Sequence, residues 1–196
     1  MARGAWIAYA RIADIGARAL ATTRERLSAA ERARYARFAT PRRRREFLAG
    51  RWLVAASRSA WKRTGGGTSI SHSGGWVACA LLERGSPGVD IEPMVERDFA
   101  RLGAWAFPPA AREPWAHARD LRKAFYGRWT RYEARLKGSK NSAYDERTWY
   151  VDGVALSARL PKKIVMAGGG PQRWRRRGGF APATLKAGKF RKEVIP

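Results

Sequence analysis

The sequence predicts an α+β protein, and three features of the chain support this prediction. The segment Ala5–Ile12 alternates in the manner of a strand and is rich in β-favouring residues. Short strand-like segments follow the glycine run at 65–67, and residues 120–137 have strong helical periodicity. A chain of 196 residues suits one compact unit or two small halves packed together, and it is long enough to bury a core.

The first half of the chain is predicted to contain a strand, two helices and a β-hairpin. Ser28 and Glu31 have the spacing of a capping box, so a helix should begin there. Pro41, which follows Thr40, suits the first position of a second helix, and the glycine run should end that helix. Its apolar positions recur at helical spacing at Phe47, Leu48, Trp52, Ala55 and Ala56. The strands of the hairpin are expected at 69–72 and 76–82.

The second half is predicted to contain a strand at 88–92, a long helix and a second hairpin. Prolines at 108–109 and 114 should break the helical region that precedes the long helix. The long helix carries an apolar stripe formed by Leu121, Phe125, Trp129, Tyr132 and Leu136. Asp152 and Gly153 should turn the hairpin, whose strands are expected at 149–151 and 154–160.

The turn at residues 84–87 is the natural place to divide the chain. Residues 1–86 then form an N-terminal half, and residues 87–160 form a C-terminal half. Residues 161–196 are rich in Gly, Pro, Lys and Arg, contain the single acid Glu193, and have little periodicity. We therefore expect a basic, loosely ordered tail after residue 160.

Composition limits which cellular locations and which classes of partner we expect for the protein. The chain has no apolar run long enough to span a membrane, nothing at its N-terminus resembles a secretion signal, and its single cysteine, Cys79, excludes an internal disulfide. We expect a cytoplasmic monomer. The formal net charge of +24 favours a polyanionic partner, which could be nucleic acid, anionic lipid, a phosphorylated small molecule or an acidic protein. The same charge can also serve solubility alone.

Two carboxylates, Asp90 and Glu92, lie on the predicted strand at 88–92. Residues two apart on a strand project to the same face, so Val89 and Ile91 should enter the core while the two acids point to the other side. Neighbouring carboxylates repel each other unless a cation lies between them, and hard oxygen ligands suit Mg²⁺. The alternative is an edge strand with a polar outer face, and the spacing leaves both open.

The long helix supplies a third carboxylate, Glu133, and a lysine, Lys137, one turn later. Residues four apart on a helix share a face, so this pair could be a surface ion pair. It could equally complete a metal site with Glu133 and reach a phosphate with Lys137. We expect Asp90 and Glu133 to face a solvent-filled cleft.

Two further segments contain groups that bind phosphates. Residues 69–75 place Ser71, His72 and two glycines in a polar loop that could cradle a phosphate or could be a serine-rich turn. Residues 42–45 are all arginine, and Arg51 follows one to two helical turns later. This positive charge suits a phosphate monoester, a nucleic-acid backbone or a solvated surface.

Five segments occur in an order and at separations that match a known family. They read LSAAERARYARF, RRREFLAGRWLVA, ISHSGGWVACAL, GVDIE and AFYGRWTRYEARLKG, and they cover roughly Trp6 to Gly138. Three of the motifs are highly specific when they occur in this order and at these separations: SHSG, GVDIE and W-T-x-x-E-A-x-x-K. Together the segments resemble the 4′-phosphopantetheinyl transferase family, of the type that activates peptide synthetases. The resemblance implies a pseudo-twofold pair of similar α+β halves, with coenzyme A bound in the cleft between them.

The resemblance also implies roles for individual residues. Asp90, Glu92 and Glu133 match the ligands of a Mg²⁺ ion, and Glu133 would also act as the catalytic base. Lys137 matches the catalytic lysine at the pyrophosphate of coenzyme A. Two further sets match the coenzyme A contacts: Ser71 and His72 at the phosphates, and Arg34, Arg45 and Arg51 in the region of the 3′-phosphate.

The implied reaction moves the 4′-phosphopantetheine group from coenzyme A to a serine hydroxyl of an apo carrier protein and releases 3′,5′-ADP. The partner would be an acidic acyl, peptidyl or aryl carrier protein, with no specific nucleic acid and no membrane. Two alternatives stay open. A catalytically impaired family member could bind coenzyme A or a carrier protein, and Tyr132 favours this because the family usually has a lysine there. A basic nucleic-acid-binding protein is the other alternative, supported by charge alone.

Overall fold

The structure, a computed structural model, describes residues 4–63, 65–107, 118–166 and 170–173. The helices are α1 (Ala17–Glu25), α2 (Ala29–Ala36), α3 (Pro41–Trp61), α4 (Phe99–Ala106) and α5 (Leu121–Lys137), with a short 3-10 turn at Ile12–Asp14. The longer strands are β1 (Gly4–Arg11), β2 (Gly67–Ser73), β3 (Trp76–Leu82), β4 (Gly88–Pro93), β5 (Tyr144–Val151) and β6 (Val154–Pro161). Two short strands follow, β7 (Val165–Met166) and β8 (Gln172–Arg173).

The strands of the described residues form two sheets. In the first sheet, β3 pairs antiparallel with both β1 and β2, whereas β7 and β8 pair parallel to β1. In the second sheet, β6 lies between β4 and β5 and pairs antiparallel with both. The strands β2 and β4 lie at the edges of their sheets, and they contact each other.

One hydrophobic core lies between the two sheets, and each sheet packs helices on its other face. The core between the sheets combines alternate residues of β1 and β3 with those of β4 and β6, including Ile7, Leu82, Val89, Ile91, Leu156 and Leu160. The opposite residues of β1 and β3 pack against α1 and α3. On the second sheet, α4 and α5 pack over Ala155. The prediction of an α+β fold is therefore confirmed.

The starts of α2 and α3 follow from their capping residues. The Ser28 side chain accepts the backbone N–H of Glu31, and the Glu31 carboxylate accepts the backbone N–H of Ser28, which completes the predicted capping box. The Thr40 hydroxyl likewise accepts a hydrogen bond from the backbone N–H of Arg43. Pro41 occupies the first helical position, as predicted. These local signals set the predicted helix starts correctly.

The buried face of α5 differs from the predicted apolar stripe. Leu121, Tyr132 and Leu136 of that stripe are 39–51% exposed, and the residues that α5 buries are Phe125, Tyr126, Gly127, Thr130 and Ala134. The reason is close backbone packing: a Cβ on Gly88 would lie 1.9 Å from the Ala134 carbonyl oxygen. Small residues on α5 let the helix approach β4, and this proximity matters for the site described below.

The fold continues past the predicted boundary at residue 160. Strands β7 and β8 lie alongside β1, and the Arg173 guanidinium pairs with Asp152 at 2.6 Å and lies over the Trp76 ring. The Tyr9 hydroxyl donates to the same aspartate at 2.7 Å. Residues 161–166 and 170–173 therefore belong to the folded protein, whereas the rest of the predicted tail, and the proline breaks at 108–109 and 114, lie outside the described residues. Among the residues that the structure describes, no helix combines the length and apolarity needed to cross a membrane.

Candidate functional site

Strand β4 separates its apolar from its acidic residues. Val89 and Ile91 are fully buried in the core between the sheets, as the alternation predicts, so Asp90 and Glu92 point to the opposite face. Asp90 is nevertheless only 3% exposed. Our expectation that it faces solvent is wrong, because β2 and α5 cover that face of the strand.

Three serines at alternate positions of β2 hydrogen-bond to β4, and they explain how the two edge strands meet. The bonds join Ser69 Oγ to the Val89 N–H at 3.1 Å, Ser71 Oγ to Asp90 Oδ1 at 2.8 Å, and Ser73 Oγ to Glu92 Oε2 at 2.6 Å. The strand predicted at 69–72 is confirmed, and it extends through Ser73, so the predicted polar loop is reduced to the turn at Gly74 and Gly75. Because neighbouring residues on a strand face opposite sides, Ser71 and His72 point in different directions.

Helix α5 brings a lysine to the same carboxylate. Lys137 Nζ lies 2.6 Å from Asp90 Oδ1 and 3.3 Å from Ser71 Oγ. Glu133 Oε2, one helical turn earlier, is 4.0 Å from the same ammonium group. The contact of Lys137 with Glu133 is therefore not a simple surface ion pair, because the closest partner of Lys137 is the buried carboxylate of Asp90 on β4. The structure brings Ser71, Asp90, Glu133 and Lys137 together.

The electrostatics of this cluster favour additional positive charge. Burial raises the pKa of Asp90 above its ordinary value, although Lys137 and the Ser71 hydroxyl oppose the shift. Burial also raises the pKa of Glu92, with the Ser73 hydrogen bond opposing the shift and the charges of Asp90 and Glu133 adding to it. In the part of the chain that the structure describes, Asp90 Oδ2 is buried with no hydrogen-bond partner. One oxygen of the aspartate is thus satisfied, and the other is not.

Two of the predicted Mg²⁺ ligands, Asp90 and Glu133, belong to this cluster, but the described residues do not form a preassembled metal site. Among the described residues, no three His, Cys, Asp or Glu side chains are grouped so that they could hold a metal ion. The ammonium of Lys137 lies between Asp90 and Glu133. The donor chemistry still suits Mg²⁺, since Asp90 Oδ2 lacks a partner and Glu92 follows on the same face of β4. The magnesium site therefore stays a prediction.

An open cavity of about 470 Å³ lies beside the cluster. It is lined by Thr40, Arg42, Arg43, Glu46, His72 and Ser73. Ser73 belongs to both places, because it lines the cavity and hydrogen-bonds to Glu92. The start of α3 therefore meets the end of β2 next to the acidic strand β4. His72 reaches the cavity from the face of β2 opposite Ser71.

Glu46 is the acidic member of this basic cavity. Its side chain is 6% exposed, and its carboxylate lies 2.9 Å from Arg42 Nε, 3.2 Å from Arg43 Nη1 and 3.5 Å from His72 Nδ1. Burial raises the pKa of Glu46, but the Arg42 hydrogen bond, the charge of His72 and the contact with Arg43 together bring it below its ordinary value. Glu46 is therefore ionised and holds these three groups.

Arg34, Arg45 and Arg51, the arginines predicted at the 3′-phosphate, do not line this cavity, and their assignment stays a prediction. Arg51 pairs with Glu31 at 2.9 Å and stacks over the Phe47 ring, and Arg34 lies over the same ring. The Arg45 guanidinium points to the Ile12 carbonyl at 3.5 Å. In the described part of the chain, the arginines that line the cavity are Arg42 and Arg43 instead. The sequence located the basic segment but did not show which members face the cavity, and it gave no role to Thr40, Glu46 or Ser73.

The sequence was also compared with known proteins. No family model matches the chain, and no curated protein matches it either. The resemblance to phosphopantetheinyl transferases therefore depends on the five motif segments alone.

Proposed function

We propose that this protein transfers the 4′-phosphopantetheine group of coenzyme A to a serine of an acidic carrier protein. The observation that carries the proposal is the Ser71–Asp90–Lys137 cluster, which joins edge strands of two sheets beside a basic cavity. Those residues come from three segments of the motif set, which are distant along the chain. Their contact is what a shared catalytic site requires.

The proposal assigns the 3′-phosphate and the pyrophosphate of coenzyme A to neighbouring places. The 3′-phosphate would occupy the cavity, where Arg42, Arg43 and His72 supply cationic or hydrogen-bonding groups. The first turn of α3 contains no acidic residue, so the positive end of the helix dipole also favours an anion there. The pyrophosphate would lie at Lys137, next to Asp90. We take the cleft of the family's pseudo-twofold fold to be the junction of β2, β4 and α5.

The chain's own residues can then carry out the transfer. Glu133, with a side chain 27% exposed and thus accessible, accepts the proton of the carrier serine hydroxyl. The serine oxygen forms a bond to the β-phosphorus of coenzyme A, and the bond from that phosphorus to the oxygen of 3′,5′-ADP breaks. Lys137 stabilises the charge on the leaving 3′,5′-ADP. Mg²⁺ held by Asp90, Glu92 and Glu133 would neutralise charge on the pyrophosphate.

The test is incubation of the protein with coenzyme A, Mg²⁺ and an apo carrier protein, followed by intact-mass measurement of the carrier. The proposal predicts a gain of one phosphopantetheine group on the carrier serine, and loss of that gain when EDTA removes the metal. A carrier of unchanged mass would contradict it.

A second candidate is a protein that binds coenzyme A without turnover. The observation that favours it is Lys137, whose ammonium is already paired with Asp90 at 2.6 Å. The exposed Tyr132 at the usual lysine position also reduces the positive charge on α5. Retained coenzyme A binding with an unmodified carrier would support this candidate over the first.

A further inference from the structure

Glu46 presents a physical contradiction that a structural role does not explain. A cavity that binds an anion should exclude buried negative charge, yet this carboxylate lies among the cavity's bases with its side chain 6% exposed. Burying a carboxylate is unfavourable unless its partners compensate for lost hydration. The position of Glu46 therefore calls for a role in the cavity itself.

The ion pairs of Glu46 contribute little to stability. The side chains of Arg42 and Arg43 are 77% and 60% exposed, and pairs with such exposed partners are worth at most about 1 kcal/mol. In Arg42–Glu46 the base precedes the acid by four residues, which is the less favourable order on a helix. The geometry does give Glu46 a competing role, because it occupies donors that a phosphate would use.

We propose that Glu46 is an affinity-setting residue that competes with bound phosphate for Arg42, Arg43 and His72. The inference rests on the proposed function, in which the cavity receives the 3′-phosphate of coenzyme A. The product 3′,5′-ADP keeps that phosphate, so a cavity without Glu46 would hold the product as well as the substrate more tightly. Interactions equally strong with substrate and transition state do not accelerate the chemical step. Glu46 lowers the affinity of the cavity for phosphate, and the product 3′,5′-ADP therefore dissociates faster.

The test measures inorganic phosphate binding by calorimetry in the wild type and in Glu46→Gln. Glutamine keeps the shape and a hydrogen-bond acceptor but removes the charge, so phosphate should bind about tenfold more tightly. Inhibition of transfer by 3′,5′-ADP should strengthen by a similar factor. The matched control is Glu83→Gln, which removes the same charge from a residue paired with Arg63 at 3.2 Å. Glu83 follows the far end of the β2–β3 hairpin, roughly 20 Å from Ser73 at about 3.3 Å per residue.

Unchanged or weaker phosphate binding in Glu46→Gln would overturn the inference, as would an equal gain in Glu83→Gln. If Glu46→Gln lowers the melting temperature, the increase that phosphate adds to each melting temperature still compares the affinities. The proposed function fails by a separate result, an unmodified carrier with wild-type protein. Tighter phosphate binding in Glu46→Gln would support the role of Glu46 even then.

Discussion

Asp90 is a buried carboxylate with unequal surroundings at its two oxygens. Oδ1 accepts hydrogen bonds from Lys137 and Ser71, whereas Oδ2 is buried without a partner among the described residues. A half-satisfied buried charge lowers stability, and such groups are concentrated at functional sites. The Asp90–Lys137 pair therefore couples the stability of the protein to the proposed site.

A double-mutant cycle should reveal this link. Lys137→Met leaves Asp90 buried without its counter-ion, and we expect a loss of about 2 kcal/mol of unfolding free energy. This is less than for a fully buried pair, because the Lys137 side chain is 33% exposed. Asp90→Asn combined with Lys137→Met should recover about 1–2 kcal/mol of the summed losses, measured by urea denaturation. Strict additivity of the two substitutions would contradict the pairing.

At the scale of elements, Glu146 fixes the end of α5 that carries Glu133 and Lys137. Its carboxylate accepts from Arg135 of α5 at 3.0 and 3.1 Å and also contacts Arg159 of β6. The side chains of Glu146 and Arg159 are only 7% and 8% exposed. This network ties the helix to both strands of the β5–β6 hairpin.

Removing Glu146 should destabilise the protein strongly. Glu146→Ala leaves the buried Arg159 without its carboxylate, and we expect a loss of about 3 kcal/mol in urea denaturation. The carbonyls of Ser139 and Asn141 still accept from Arg159, which keeps the loss from being larger. Glu96→Ala, at an exposed position after β4, is the control and should change stability by less than about 0.5 kcal/mol. Equal losses of stability in the two variants would contradict a stabilising role for the Glu146 network.

The same glutamate predicts a dependence of stability on acid pH. Burial raises the pKa of Glu146, but the hydrogen bonds from Arg135 and Arg159 bring it below the ordinary value of 4.5. The unfolded chain therefore binds more protons in this range, and the stabilisation is present above pH 4.5 and is lost as pH falls through the folded-state pKa. The stability difference between wild type and Glu146→Gln should shrink on acidification. A difference that is constant from neutral to acid pH would contradict this.

At the scale of the whole molecule, local signals in the sequence predicted more than long-range ones. Capping at Ser28 and Thr40 and the alternation of Val89 with Asp90 depend on neighbouring residues, so the helix starts and strand faces could be inferred. The buried face of α5 could not, since it depends on contact with Gly88 in another element. For the site, the motifs located the acids and Lys137, but not the pairing of Lys137 with Asp90.

The same reason explains why the sequence did not show which arginines line the cavity. A run of four arginines at the start of α3 has no internal signal for which members face β2, because helix rotation is set by core packing of Phe47 and Leu53. The parallel pairing of β7 and β8 with β1 was also missed, because these strands have only two residues each. Short strands give no readable alternation.

The net charge of +24 predicts how salt would affect the encounter with an acidic carrier, the partner in the proposed function. Opposite charges steer association, and salt screens this attraction. The kcat/KM for the carrier should fall several-fold between low and about 0.5 M NaCl, while circular dichroism shows that the fold is unchanged. Binding to a neutral reporter such as pantetheine should stay constant and serves as the control. A kcat/KM that does not change with salt would contradict a role for the positive charge in recognising the carrier.

The most direct test of the account is intact-mass measurement of an apo carrier after incubation with coenzyme A, Mg²⁺ and either wild type, Glu133→Gln or Glu96→Gln. Glu133 lies next to Lys137 in the cluster, whereas Glu96 is an exposed carboxylate outside it. We predict one added phosphopantetheine group with wild type and Glu96→Gln, and a rate at least about 100-fold lower with Glu133→Gln. Equal modification by Glu133→Gln and wild type would contradict the assignment of Glu133, and an unmodified carrier with all three proteins would contradict the transfer itself.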